Sequence, residues 1–280
     1  MHVCLIGYGN MGSAMLDGWC QRRSPDDIFT VIDPAIDEAL ASRLADEDVR
    51  TASSASQFMP EDAASQPDVV VLAVKPQIMA EVMSGCKHIG TAQTVFVSIA
   101  AGISLDGLRQ MIPQSSAIIR AMPNSPAKVG AAVTAITALP DVSDQMIEMT
   151  RHLLSAIGKV VVLDDEQLMD AVTALSGSGP AYVFYLVETM AEAGRALGLA
   201  DDMAMQLARQ TVIGAGALMQ DDDNSAGQLR KNVTSEGGTT AAALSVLMAE
   251  GGLAATATAG FAAATATAGL AATATAGLAV

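Results

Sequence analysis

The sequence predicts an α/β N-terminal half, residues 1–163, followed by an all-α C-terminal half, residues 164–280. Three observations carry this. Apolar runs of strand length alternate with helical runs up to residue 163. Strand signal then fades and helix signal dominates. The first apolar run, Val3-Cys4-Leu5-Ile6, enters Gly7-Tyr8-Gly9-Asn10-Met11-Gly12, which opens a helix and leads to a second strand ending in Asp33.

That glycine pattern has a physical reading. Gly7 takes the angles of a tight turn, Gly9 leaves room for a pyrophosphate, and Gly12 lets the helix lie close to the strand. Free N–H groups at the helix start then face the phosphates. An acid at the end of the second strand is placed to accept hydrogen bonds from the adenosine ribose, which assigns Asp33 that role. The pattern predicts a Rossmann-like dinucleotide-binding domain. The alternative is a tight strand–helix turn that holds no ligand.

The elements follow in order. A helix is expected over 10–23, with Met11, Met15, Leu16 and Trp19 on one face. A strand over 28–32 is ended by Pro34, and a helix over 35–45 carries Asp37, Glu38 and Arg43 outside. The run 69–74 suits a strand buried on both faces of a parallel sheet. Lys75-Pro76-Gln77 follows it, where such sheets bind ligands, although Lys75 alone reads as a solvated loop residue. Further strands are expected over 94–100, 117–122, 130–138 and 158–163, with a helix over 143–156. After 117–122, Pro123-Asn124-Ser125-Pro126 is a stiff loop with a polar tip, either a ligand-positioning device or an ordinary turn.

In the second half, Ser176-Gly177-Ser178-Gly179-Pro180 reads as a break between helices, with Ser178 or Gly179 as cap and Pro180 in the next first turn. Helices are expected from Tyr182 to near Gly198 and over 203–219, where Gly214 and Gly216 invite close helix approach. Asp221-Asp222-Asp223 reads as a solvated helix end, since no second acidic cluster accompanies it. The segment Asn232-Val233-Thr234-Ser235-Glu236-Gly237-Gly238-Thr239-Thr240 packs hydroxyls, an amide and glycines before another helix. It is either an anion cradle or a glycine-rich helix start capped by its own threonines. From residue 251 the chain has no charged residue and repeats Leu-Ala-Ala-Thr-Ala-Thr-Ala-Gly. This atypical low-complexity tail is either a helical terminus or a sequence altered relative to its natural source.

The composition narrows the function classes. The formal net charge is −15, with a pI of about 4.4, and no basic patch with interleaved aromatics occurs. Such a surface repels phosphate backbones and anionic lipid, so no nucleic-acid partner is expected. No apolar run is long and clean enough for a membrane span, and the first residues read as a strand rather than a leader. Cys4, Cys20 and Cys86 have no metal spacing, which fits free thiols in a reducing compartment and a cytoplasmic location. No metal is expected. His88 and His152 read as surface residues.

Several segments together resemble the pyrroline-5-carboxylate reductase family. They are Gly7 to Gly12; Ala73-Val74-Lys75-Pro76-Gln77; Ser98-Ile99-Ala100-Ala101-Gly102; Arg120-Ala121-Met122-Pro123-Asn124-Ser125-Pro126-Ala127; Thr173 to Tyr182; and Val233 to Thr240. They run in family order to about residue 250. The resemblance implies NAD(P)H-dependent reduction of 1-pyrroline-5-carboxylate to L-proline, the last step of proline synthesis, by a homodimer or higher homo-oligomer. It implies cofactor contacts from Gly7, Gly9, Asn10, Met11, Gly12, Ala73, Val74, Lys75 and Pro76, to which Asp33 and Asn124 are added. It also implies that Asn232, Val233, Thr234, Ser235, Gly237, Gly238 and Thr239 form the substrate site at the dimer interface. Thr240 resembles the family threonine at the imine nitrogen.

Two departures stand out. Glu236 replaces the family proline and brings a negative charge beside a site expected to receive a carboxylate. The tail after Gly252 lacks the charged amphipathic helix expected there. Glu236 favours two other readings, a related imine or β-hydroxyacid reductase and a non-catalytic NAD(P)-binding sensor. Asp33, followed by uncharged Pro34 and Ala35, predicts that NADH serves at least as well as NADPH.

Overall fold

The computed structural model describes residues 1–60, 62, 65–112 and 117–276. They divide into two compact units, Met1–Gly177 with the chain from Ala264 onward, and Ser178–Ala263. The strand signal that fades after residue 163 corresponds to the end of the last strand at Val162.

The first unit is built on one sheet. Its strands are β1 (His2–Ile6), β2 (Ile28–Ile32), β3 (Val49–Ala52), β4 (Val69–Leu72), β5 (Val95–Ser98), β6 (Ala117–Met122), β7 (Ala132–Ala138) and β8 (Gly158–Val162). Their order is β3-β2-β1-β4-β5-β6-β7-β8. All neighbours pair parallel except β6 and β7. Val69, Val70, Val71 and Leu72 are fully buried, as a central parallel strand covered on both faces requires. The covering helices are α1 (Asn10–Gln21), α2 (Glu38–Asp46), α3 (Met79–Gly85), α4 (Leu105–Met111), α5 (Asp144–Ser155) and the short α6 (Met169–Val172). α1 buries Ala14, Met15, Leu16 and Trp19, and the Trp19 indole N–H donates to the Leu153 carbonyl at 3.1 Å. Because β1 lies between β2 and β4, the sheet reverses direction of growth at β1/β4. In open parallel sheets this switch point, outside the strands' C-terminal ends, is where ligands bind.

Local chemistry shifts several expected boundaries. β3 was not expected: Val-Arg-Thr-Ala has no apolar run, and the strand forms by pairing with β2 at the sheet edge. α2 starts at Glu38 rather than 35, because the Ala35 N–H is held by the Asp33 carboxylate and Asp37 caps the helix through the Leu40 N–H. The strand over 69–74 stops at Leu72, ahead of Lys75 and Pro76. His88 is not a surface residue. It is half-buried, with Nε2 at 2.9 Å from both the Ala55 and Phe58 carbonyls, and it ties down the loop after β3.

The second unit is helical: α7 (Gly179–Ala196), α8 (Asp201–Asp221), α9 (Ala226–Asn232), α10 (Thr239–Leu247) and the start of α11 (Leu253–Ala276). α7 and α8 approach closely at Gly194, where an added Cβ would stand 3.3 Å from the Ala204 Cβ. Gly214 and Gly216 play no such part; a Cβ at either would meet nothing within 4 Å. The tail is helical through Ala276, and its last residues, 277–280, lie outside the described residues. Thr256 and Thr258 return their hydroxyls to the carbonyls of Gly252 and Ala254, which satisfies a polar side chain within the helix itself. Phe261 packs its ring 5.3 Å from that of Tyr182 on α7.

Candidate active site

The glycine loop sits at the β1/β4 switch point and each glycine has a distinct reason. Gly7 has φ +102°, and a Cβ there would stand 2.6 Å from the Ala73 carbonyl oxygen. Gly12 lies so close to the Gly7 carbonyl that no side chain fits between them. At Gly9 a Cβ would meet nothing within 4 Å, so the space over the loop is open. Gly9 is also the N-cap of α1 and no side chain caps that helix. The N–H groups of its first turn are therefore available to an anion, with the helix dipole behind them. An open cradle of backbone donors, walled by two obligatory glycines, fits a dinucleotide pyrophosphate.

The other expected cofactor residues are distributed around this loop. Ala73 and Val74 follow β4 and are half-buried, with the Ala73 N–H donating to the Ile6 carbonyl at 2.8 Å. Pro76 starts one 3₁₀ turn, and Lys75 before it is exposed with no ion pair among the described residues. Asn10 and Met11 open α1. Asp33 has turned towards the loop: Oδ2 accepts the Tyr8 N–H at 2.6 Å and Oδ1 the Ala35 N–H at 2.8 Å. Each oxygen keeps lone-pair capacity for a ribose hydroxyl.

Asn124 is buried and holds the structure together at the end of β6. Its Nδ2 donates to the Ser176 carbonyl and its Oδ1 accepts the Val133 N–H, both at 3.0 Å. Beyond these two bonds the amide keeps one Nδ2 hydrogen and one Oδ1 lone pair. The turn it grips, Thr173–Gly177, is π-helical, and Ser178 continues it with φ −84° and ψ −18°. The expected helix break at 176–180 is therefore a widened turn; Ser178 occupies the N-cap of α7, its carbonyl accepting the Ala181 N–H, but its side chain makes no capping bond. Hydroxyls of Thr173 and Ser176 bonded to carbonyls four residues back stabilise it.

The segment 232–240 is a turn between α9 and α10. Two of its side chains bond back to residues of α9. The Asn232 Oδ1 accepts from Gln228 Nε2, and the Thr234 hydroxyl donates to the Arg230 carbonyl at 2.6 Å. The Gly238 N–H closes a turn on the Ser235 carbonyl at 3.1 Å, with Gly237 at φ +70°. Ser235 folds its hydroxyl against Gly238, leaving no room for a side chain there. Gly238 is the N-cap of α10 and supplies no side-chain cap, so the first-turn N–H groups of Thr239 and Thr240 remain open to an anion. Val233 is exposed.

Sequence reasoning missed two long-range pairs. The Arg43 guanidinium donates to the Tyr8 hydroxyl at 3.2 Å. Arg120, buried on β6, donates to Glu166 Oε1 at 2.8 Å, and the same oxygen accepts the Leu105 N–H. No local signal announces partners this far apart in sequence. The thiols of Cys20 and Cys86 are pushed up to about 11 by burial, and Cys4 is raised by burial and by Cys86, so none supplies a thiolate.

Comparison with known proteins agrees with both parts of this geometry. Residues 2–102 match the family model described as NADP oxidoreductase coenzyme F420-dependent, and residues 166–274 match that for pyrroline-5-carboxylate reductase dimerisation. The pyrroline-5-carboxylate reductase of Pasteurella multocida is 38% identical over 246 residues, covering 88% of each chain. The solved pyrroline-5-carboxylate reductase of Coxiella burnetii superposes with a TM-score of 0.87 at 32% identity, over 96% of this chain and 97% of that one. The Plasmodium falciparum enzyme, solved with NADP bound, gives 0.78 at 25% identity over 97% and 98%. With a glycine loop shaped for a dinucleotide, a similarity of this extent means that the chain belongs to the pyrroline-5-carboxylate reductase family, NAD(P)H-dependent oxidoreductases acting on a C=N bond.

Proposed function

We propose that the chain reduces 1-pyrroline-5-carboxylate to L-proline as a cytoplasmic homodimer, with residues 1–163 binding the cofactor and 164–280 forming the substrate and dimerisation domain. The observation that carries the site assignment is the uncapped start of α10, where hydroxyls and open N–H groups stand together. When bound, a nicotinamide cofactor would supply the hydride for the imine carbon, and the nitrogen would gain a proton. The chain's own residues bind and orient. Open N–H groups of the turn and of Thr239, with the hydroxyls of Ser235 and Thr239, take the substrate carboxylate. The Thr240 hydroxyl donates to the ring nitrogen and relays a proton from solvent, since a threonine alone is too weak an acid to deliver one. Gly7, Gly9 and Gly12, with the first turn of α1, hold the pyrophosphate. Ala73 to Pro76, which follow β4 beside the glycine loop, would contact the bound cofactor. Most of the acceleration then comes from placing two reactants in register.

Exposed apolar side chains on α7 and α8, Phe184, Tyr185, Leu207 and Ile213 among them, support a subunit interface. The unpaired cysteines support a reducing compartment.

The test is turnover with racemic pyrroline-5-carboxylate and each of NADH and NADPH. Thr240→Ala is expected to lower kcat by about 10- to 100-fold with little change in cofactor affinity. An unchanged kcat removes the role given to Thr240.

A further inference from the structure

Asp33 stands where a carboxylate repels a 2′-phosphate, and the residues that follow it, Pro34-Ala35-Ile36-Asp37, carry no cation. Arg22 and Arg23, which precede the strand that Asp33 ends, are committed elsewhere. Arg22 donates to the Ser155 carbonyl at 3.1 Å. Arg23 donates to the Asp27 carbonyl at 2.9 and 3.1 Å and to the Glu47 carbonyl at 2.8 Å. Arg43 is different. It lies in the last turn of α2, and helix side chains lean back towards the helix N-terminus, here the side that follows the end of β2. Its Nη2 reaches the hydroxyl of Tyr8, the residue between Gly7 and Gly9. The guanidinium is thus tethered to the dinucleotide loop itself. It is exposed, makes no ion pair among the described residues, and spends one hydrogen bond on Tyr8. Burial pushes the Tyr8 phenol up, so the tether is a neutral hydroxyl that leaves the arginine charge intact. Asp17 and Glu47 also act on Tyr8 through space, yet neither pairs with Arg43.

We propose that Arg43, presented by Tyr8, receives the adenosine 2′-phosphate of NADPH, so that the protein accepts the phosphorylated cofactor in spite of Asp33. The inference rests on the dinucleotide reading above. The carboxylate of Asp33, pinned by two backbone N–H groups, keeps its hydrogen-bonding role for the unphosphorylated ribose. The two residues therefore divide the cofactors between them. A guanidinium suits a phosphate in particular, because its parallel N–H groups match two phosphate oxygens.

The experiment is direct binding to the full chain, measured by calorimetry with NADPH, NADH, 2′,5′-ADP and ADP. Arg43→Ala is expected to weaken NADPH and 2′,5′-ADP by about tenfold or more, with NADH and ADP within about twofold. Arg43→Lys is expected to recover part of the loss, since it restores charge without the fork. Equal weakening of all four ligands would overturn the proposal, because Arg43 would then stack on the adenine. Unchanged binding of 2′,5′-ADP would overturn it as well. If the unaltered protein bound none of the four, the cofactor reading itself would fall, and this proposal with it.

Discussion

Glu236 occupies the first central position of the turn that the Gly238 N–H closes on the Ser235 carbonyl. Gly237, at φ +70°, has the left-handed conformation that a type II turn demands of its second central residue. Proline is well suited to the position before it, which explains physically why the family pattern has proline there. Glu236 is exposed and makes no ion pair among the described residues, so its charge stands uncompensated beside the open start of α10. Glu236→Pro is expected to lower the KM for the substrate a few-fold, on the order of 0.2–1 kcal/mol. It is also expected to stabilise the chain by about 0.4–1 kcal/mol by restricting the unfolded state. Glu236→Gln separates the two effects: it should reproduce the KM change without the stability gain. A KM unmoved by both substitutions would show that the carboxylate does not face the substrate.

At the scale of elements, the π turn Thr173–Gly177 is hydrogen-bonded to the segment after β6 through the Asn124 side chain. Asn124→Ala leaves a carbonyl and an N–H without their partner, at a cost of roughly 2–4 kcal/mol and a fall in Tm of about 5–10 °C. Asn124→Asp keeps the acceptor for the Val133 N–H and should lose less. Hydrogen exchange at Val133 checks the assignment: Ala should speed it and Asp should not. Equal exchange in both would mean that the clamp does not hold β7. The same elements show what the sequence made legible. The glycine loop, the buried run of β4 and the helix at 143–156 announced themselves because each signal is local: a turn residue, a continuous apolar run, a cap with a period. β3 and the π turn did not. β3 exists through pairing with β2, and the π turn is bonded to an amide from a loop far back in the chain. The tail gave no helical period either, because its helix mixes only alanine, threonine, glycine and a few bulky apolar residues, and Thr256 and Thr258 are satisfied by their own backbone.

For the whole molecule, the second unit leaves an unusual amount of apolar side chain uncovered. Phe184 is 63% and Tyr185 66% exposed on α7, with Leu207, Ile213 and Leu218 similarly open on α8. A patch of this kind, in the stretch that matches a dimerisation model, calls for a second copy of the chain. If Thr240 and its turn act on substrate only when that second copy is present, assembly and catalysis are linked, whereas the glycine loop is built within the first unit. Phe184→Glu is expected to give a monomer by sedimentation velocity, because it places a charge in the centre of the apolar face. That monomer should lose turnover by at least about 100-fold while binding NADH as the unaltered protein does. A monomer with full turnover would show that each chain completes its own substrate site. Loss of NADH binding together with turnover would point instead to misfolding of the chain as a whole, and circular dichroism of the variant distinguishes that outcome directly.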